Sequence, residues 1–339
     1  MILKNSYLLI FIAQLMLFLS LQSCEEKKQP LPIKKNNLAE INRLIKLGDD
    51  NFDKQKYQSA FYYFNKAKSA CDVKKDTAQI IHCISNLATI QQNQGDYSGS
   101  ETTAIEAIPY LENSKNPNYK WNIYTILGTN NLYRYDYHNA LYYNTLALNL
   151  NTDISRKSGI KNNIALVYME MGMYQKAIQI LSQLLSQKDV IDDSEVFSRV
   201  LGNIGYCYFK TGNPKALACL NKSLNINYER KDHWGLIMNY SYLSEYYKNT
   251  NHLSKKYALL TYKNATYLNS VDDRLNALKT LIKNSSGNDL KTYSANYLRI
   301  NDSNNKIKQI AKNQFAKIKY DSKKERDENL KLKAQKAEN

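Results

Sequence analysis

Histidine and cysteine are the residues of this chain best suited to metal, redox or nucleophilic chemistry, and there are four of one and five of the other. Their spacing argues against most of that chemistry. His82, His138, His233 and His252 are scattered along the chain, and only His82 has a cysteine beside it, Cys83. Adjacent helical positions point to different faces, so this pair is a poor start for a metal site. Four cysteines fall in two pairs with the same separation, Cys71 with Cys83 and Cys207 with Cys219. An oxidising compartment leaves either pair open to a disulfide if the Cα atoms come within about 7 Å. Otherwise each is a small apolar core residue. The chain has no Gly-x-x-x-x-Gly-Lys-Ser/Thr loop, no His-Glu-x-x-His and no Gly-x-Ser-x-Gly elbow. These residues point to no enzyme, no cofactor and no metal, which leaves binding.

The fifth cysteine is different. Lys4 is followed by an apolar run from Tyr7 to Leu21, broken only by Gln14 and Ser20, and Cys24 comes just before the polar Glu25-Glu26-Lys27-Lys28. A run of this length suits an export signal and is short for a spanning helix, which needs about 20 apolar residues.

What must position any binding residues is a pattern that recurs six times. Ala60, Ser100, Ala140, Ala177, Ala216 and Lys256 follow one another at intervals of 40, 40, 37, 39 and 40 residues. A small residue precedes each by about a dozen positions: Gly48, Ala88, Gly128, Ala165, Gly205 and Ser244. Between them lie turn sequences such as Gly95-Asp96-Tyr97, Gly172-Met173-Tyr174 and Gly212-Asn213-Pro214. A period of this size means a solenoid of two-helix units, each burying its apolar face only against its neighbours. Two helices approach closely only where small side chains meet, as Gly128 and Ala140 would across one hairpin. Most of the 28 tyrosines then read as packing residues with their hydroxyls at a wet rim.

The pattern resembles the tetratricopeptide repeat (TPR) family. Leu127-Gly128, Tyr137, Ala140 and Ala147 fit it, as do Ile164-Ala165, Tyr168, Gly172, Tyr174 and Ala177, and Leu47-Gly48, Tyr57, Ala60, Phe64 and Ala67. The resemblance implies an all-α, right-handed superhelical solenoid of about six to seven helix-turn-helix repeats over residues 38–300. The period exceeds the family's usual one, so helices or inter-repeat turns must be extended, and Lys256 departs from the expected alanine. In the family, first-helix residues on the concave side line the ligand groove. The resemblance therefore implies a groove that includes Asn122, Thr125, Thr129 and Tyr133 in repeat 3, Asn162 and Glu170 in repeat 4, and Arg199, Tyr206 and Lys210 in repeat 5. Amides, hydroxyls and aromatic rings in such a wall suit an extended protein or peptide partner; solvent or the chain's own tail is the alternative filling.

Leu21-Gln22-Ser23-Cys24 in turn resembles a bacterial lipobox. That resemblance implies a lipoprotein signal peptide over residues 1–23, lipid on Cys24 and a membrane anchor at the cell envelope, periplasmic or outer-surface. Each buried methylene of the lipid contributes about 0.8 kcal/mol. A plain secretory signal and an uncleaved anchor stay open. Residues 24–37, with two prolines and four lysines, read as a flexible tether.

Residues 301–339 form the last segment, with eleven Lys or Arg against five Asp or Glu from Lys306 on. Ile307, Ile310, Ala311, Gln314, Phe315 and Ile318 make one stripe at helical spacing. The expectation is a basic helix that packs on the last repeat and then runs on as a charged, solvated extension. Asn313–Tyr320 resembles in texture the segment after the repeats of Bacteroidetes-type sensor proteins, where a membrane helix and a kinase or helix-turn-helix domain follow. A scaffold for a protein partner and a sensory part without its output domain are therefore the two readings of function. The net charge of +16 is spread along the chain among acidic residues, which does not favour nucleic acid.

Overall fold

The helical pattern is realised as a succession of hairpins whose ends are set by short-range chemistry. The computed structural model describes residues 38–112, 114, 116–150 and 152–338; Cys24, the apolar leader and the tether lie outside the described residues. Among the described residues there are sixteen α-helices and no strand. Repeat 1 is α1 (Leu38–Asp53) with α2 (Tyr57–Ala70), and repeat 2 is α3 (Thr77–Asn93) with α4 (Tyr97–Ile105) and a short α5 (Ile108–Leu111). Repeat 3 is α6 (Pro117–Tyr133) with α7 (Tyr137–Leu148). Repeat 4 is α8 (Ile154–Glu170) with α9 (Tyr174–Leu185) and a short α10 (Lys188–Asp192). Repeat 5 pairs α11 (Ser194–Lys210) with α12 (Ala216–Glu229), and repeat 6 pairs α13 (His233–Tyr246) with α14 (Asn251–Tyr267). α15 (Val271–Lys283) opens a seventh unit, and the 52-residue α16 (Gly287–Glu338) follows it. The extra residues of the long period thus appear as first helices of up to 17 residues and as the inserted α5 and α10.

Aspartate side chains start many of these helices. Asp96, Asp136, Asp153 and Asp232 each accept from the backbone N–H three residues on, and Asn116 caps α6 ahead of Pro117. In repeats 1–5 the turn between the two helices is made with a left-handed residue. Gly95, Gly172 and Gly212 supply it at φ near +70°, and Gln55 and Tyr135 occupy the equivalent place in repeats 1 and 3 at φ +56° and +63°. At the crossing of the first hairpin, a Cβ on Gly48 would lie 2.6 Å from the buried Phe64 ring.

Repeat 6 departs from the alignment on Lys256, which is exposed. The small buried position belongs to Ser254, two residues earlier, whose hydroxyl donates to the Ser244 carbonyl at 3.0 Å while Ser244 donates back to the Ser254 carbonyl at 2.8 Å. A pair of serines is thus bonded across this hairpin, whereas at the hairpins of repeats 1, 3 and 5 the first-helix glycine faces Phe64, Asn144 and Leu220 in turn. All four described cysteines are free thiols. Burial pushes Cys71 and Cys207 up to about 12, as befits inert core residues.

The described residues from 38 to 326 form one compact unit, and within it α16 does two things. Tyr293, Tyr297 and Ile300 pack on Leu275, Leu278 and Leu281 of α15, as a helix seated on the last repeat should. The stripe further along does not stay on that repeat. Phe315 is 3% exposed and stacks on Phe61 of α2, centroids 4.1 Å apart at 16°. Ala311 and Ile318 pack beside it in the first repeat's core. Lys319 donates to Thr103 of α4 at 2.8 Å, and burial lowers its pKa. The stripe that the sequence places on the last repeat therefore closes the first two, because a helix of this length reaches back along the solenoid. Ile307 and Ile310 stay more than half exposed.

Candidate functional site

First helices of successive repeats pack side by side, and in repeats 4–6 their polar residues join into ladders at one-repeat spacing. Asn203 of α11 donates to Asn162 of α8 at 2.9 Å, and Tyr242 of α13 donates to Asn203 at 3.0 Å. One turn further along, Tyr206 and Lys210 of α11 converge on Glu245 of α13. The Tyr206 hydroxyl donates to one carboxylate oxygen at 2.7 Å and the Lys210 ammonium to the other at 2.9 Å.

Aromatic rings complete this wall. Tyr206 stacks on Tyr242 at 4.4 Å and 24°, and its other neighbours are Tyr174 and Phe209. The Lys210 ammonium lies 5.6 Å from the ring centres of both Tyr174 and Tyr206 and 6.0 Å from that of Phe209. Lys248 approaches Phe209 as well, at 5.8 Å. Burial, then the hydrogen bond to Glu245, pushes the Tyr206 phenol well above the ordinary tyrosine range. The bond to Glu245 raises the Lys210 pKa, so the ammonium stays charged at neutral pH. The result is a fixed shelf of rings with a cation above it and a carboxylate between two helices. Such a surface offers flat apolar contact together with charge-assisted donors whose geometry is set before any ligand arrives.

The groove residues read from the sequence fall into three groups. Tyr206 and Lys210 sit at the centre of the cluster, and Glu170 is exposed at the end of α8. Asn162 is 4% exposed and holds Asn203, so it supports the wall from behind instead of facing a ligand. Arg199 turns along its own helix to Glu195 at 2.6 Å, away from the cluster. In repeat 3, Asn122 is exposed, Thr125 donates to the Trp121 carbonyl at 2.8 Å and Thr129 is half-buried. Tyr133 stacks on Tyr97 at 4.7 Å and 7°. None of these four has a contact with the Tyr206 cluster. Glu245, Tyr242 and Asn203 were not singled out from the sequence. The signal was present: each lies 39 or 41 residues from its bonding partner, one repeat away.

Among the described residues no group of three His, Cys, Asp or Glu could hold a metal ion, and no helix is long and apolar enough to cross a membrane.

Comparison with known proteins agrees with this architecture. Residues 159–189, spanning α8 and α9, match the tetratricopeptide repeat family model. The apo form of RapI is similar in fold, with a TM-score of 0.60 at 15% identity over 82% of this chain and 99% of that one. The Rap conjugation gene regulator of the plasmid pLS20, solved in complex with the Phr* peptide, is similar with a TM-score of 0.58 at 13% identity over 84% of this chain and 82% of that one. No curated protein matches the sequence significantly. Residues 159–189 are thus similar to a tetratricopeptide repeat, within an all-helical solenoid whose fold is like that of tetratricopeptide-type solenoids.

Proposed function

We propose that the protein is a binding scaffold that holds an extended polypeptide along the first-helix wall of repeats 4–6. The observation that carries this reading is the Tyr206–Glu245–Lys210 junction, with its shelf of Tyr174, Phe209 and Tyr242. Rings give flat contact to side chains of varied sequence, while Lys210, Lys248 and Glu170 face outward as partners for backbone carbonyls and charged groups. The likeness to a Rap regulator solved with a peptide supports this at the level of fold. The test is selection of peptides from a random display library on the purified chain, repeated on Phe209→Ala and Lys210→Ala. Peptides enriched on the unaltered protein should lose at least about tenfold in affinity on each variant. Equal binding to all three proteins would place the site elsewhere.

In this proposal Cys24 carries a lipid that anchors the scaffold at the cell envelope, with residues 24–37 as the tether and the polypeptide partner in the same compartment. The support is the Leu21-Gln22-Ser23-Cys24 sequence after an apolar run of signal length. Metabolic labelling with a fatty-acid analogue should mark the protein and fail on Cys24→Ala. Label absent from the unaltered protein removes the anchor from the proposal.

A further inference from the structure

A second concave site lies away from the Tyr206 wall. Where the turns of repeats 1 and 2 approach the turn between α14 and α15 and the middle of α16, they enclose a cavity of about 720 Å³. Three cations line it, Arg274, Arg299 and Lys308, against one carboxylate, Asp272. Lys308 and Asp272 pair with each other at 3.4 Å, which leaves both guanidiniums without a carboxylate partner among the described residues. Arg274 donates one terminal N–H to Asn269 at 3.2 Å, and its Nε is buried with no partner. The other terminal N–H groups of Arg274 and those of the exposed Arg299 have no side-chain acceptor among the described residues, so the donors open to a ligand oxygen are these terminal nitrogens.

The rest of the lining narrows the ligand. The carboxamides of Gln55, Gln94 and Asn304 form no side-chain hydrogen bond among the described residues, and each offers a donor and an acceptor together, the pairing that neighbouring hydroxyls satisfy. Trp234 is 59% exposed and presents a flat indole at the wall. Guanidinium for a carboxylate, carboxamides for hydroxyls and an aromatic plate for a ring face are the chemistry of an acidic sugar. The volume lies within the range of about 300–1,000 Å³ of small-molecule sites.

We propose that this cavity binds a small carboxylate-bearing saccharide. Because its walls come from repeats 1 and 2 on one side and from α13, the α14–α15 turn, α15 and α16 on the other, such a ligand ties the two ends of the solenoid together and stabilises that closure. The site uses none of the residues of the repeat 4–6 wall, so the two proposals stand or fall separately.

The experiment is calorimetric titration and thermal unfolding of the full chain with galacturonate and glucuronate oligomers, their neutral counterparts, and inorganic phosphate. The expected result is binding of the uronates, a rise in unfolding temperature on saturation, and at least about a tenfold loss of affinity on exchanging the carboxylate for a neutral group or on Arg299→Gln. Arg299 is exposed, so this variant is expected to fold; Arg274→Gln should show the same loss. Selected peptides should bind Arg299→Gln unchanged. Three results would overturn the proposal: no uronate binding, neutral oligomers binding as well as acidic ones, or phosphate binding as well as the uronates, which would mark a bare anion site.

Discussion

Repeats 1 and 2 and repeats 4 to 6 are built on one pattern and finish their surfaces in opposite ways. In repeat 1 the second helix carries two phenylalanines, Phe61 and Phe64, both fully buried. Phe61 can be buried because Phe315 arrives from α16, some 250 residues later, and stacks on it. In repeats 4 to 6 the first-helix wall carries tyrosines, a lysine and a glutamate that bond one another and leave Phe209, Lys210 and Lys248 reachable. An apolar face in a solenoid must be covered, and the chain covers its own; a polar aromatic face is stable uncovered, as the proposed partner surface requires.

The contrast can be broken from either side. Phe315→Ala removes a buried aromatic and should cost about 3–5 kcal/mol, read as a fall in chemical-denaturation midpoint. Amide hydrogen exchange should then rise in α2 and α3 while α11 and α13 keep their protection. Gly48→Ala tests the same covered region from inside. Its new Cβ would meet the fixed Phe64 ring, and the loss should be about 1–3 kcal/mol. On the open side, Tyr206→Phe removes one donor from Glu245 and should cost about 1–2 kcal/mol, measured by the same denaturation.

Alkaline pH should act on the tyrosine wall. The Tyr206 and Tyr242 phenols are raised by burial, so in the folded state they keep their protons above the ordinary value of about 10. The unfolded chain releases those protons first. Their contribution to stability is therefore complete below about pH 10 and is lost as pH rises towards their folded values. Ultraviolet titration should show these phenols ionising after the bulk of the tyrosines, together with unfolding, and Tyr206→Phe should remove part of that late phase. The smallest effect expected is a gain. Tyr135 is 75% exposed in a left-handed turn where three other repeats have glycine, so Tyr135→Gly should stabilise by about 0.5–1 kcal/mol in thermal unfolding.

Much of this architecture could be read from spacing. The interval of about forty residues gave the hairpins, and the Gly-Asp-Tyr and Asp-Tyr turns gave their ends, because caps and left-handed turns are decided within a few residues. The destination of α16 was not legible. The stripe from Ile307 to Ile318 states that one face is apolar, but which repeat receives it depends on how far the solenoid has turned when the chain ends its sixth hairpin. Repeat 6 misled for a local reason. Phasing it on Lys256 obscured Ser254 as the buried partner of Ser244. Of the groove residues, amides and hydroxyls were the least informative, since Asn162 is used inside the wall and Thr125 on its own helix.

The central claim is that the first-helix wall of repeats 4–6 is the partner surface and that the face under α16 is not. Hydrogen exchange of the full chain with a display-selected peptide, compared with the free chain, tests it most directly. The account expects new protection at the C-terminal ends of α8, α11 and α13, around Glu170, Lys210 and Glu245, with α2, α4 and α16 unchanged. Protection confined to α2 and α4, with α16 becoming more exchangeable, would mean that the partner displaces the chain's own helix, and the account would be wrong.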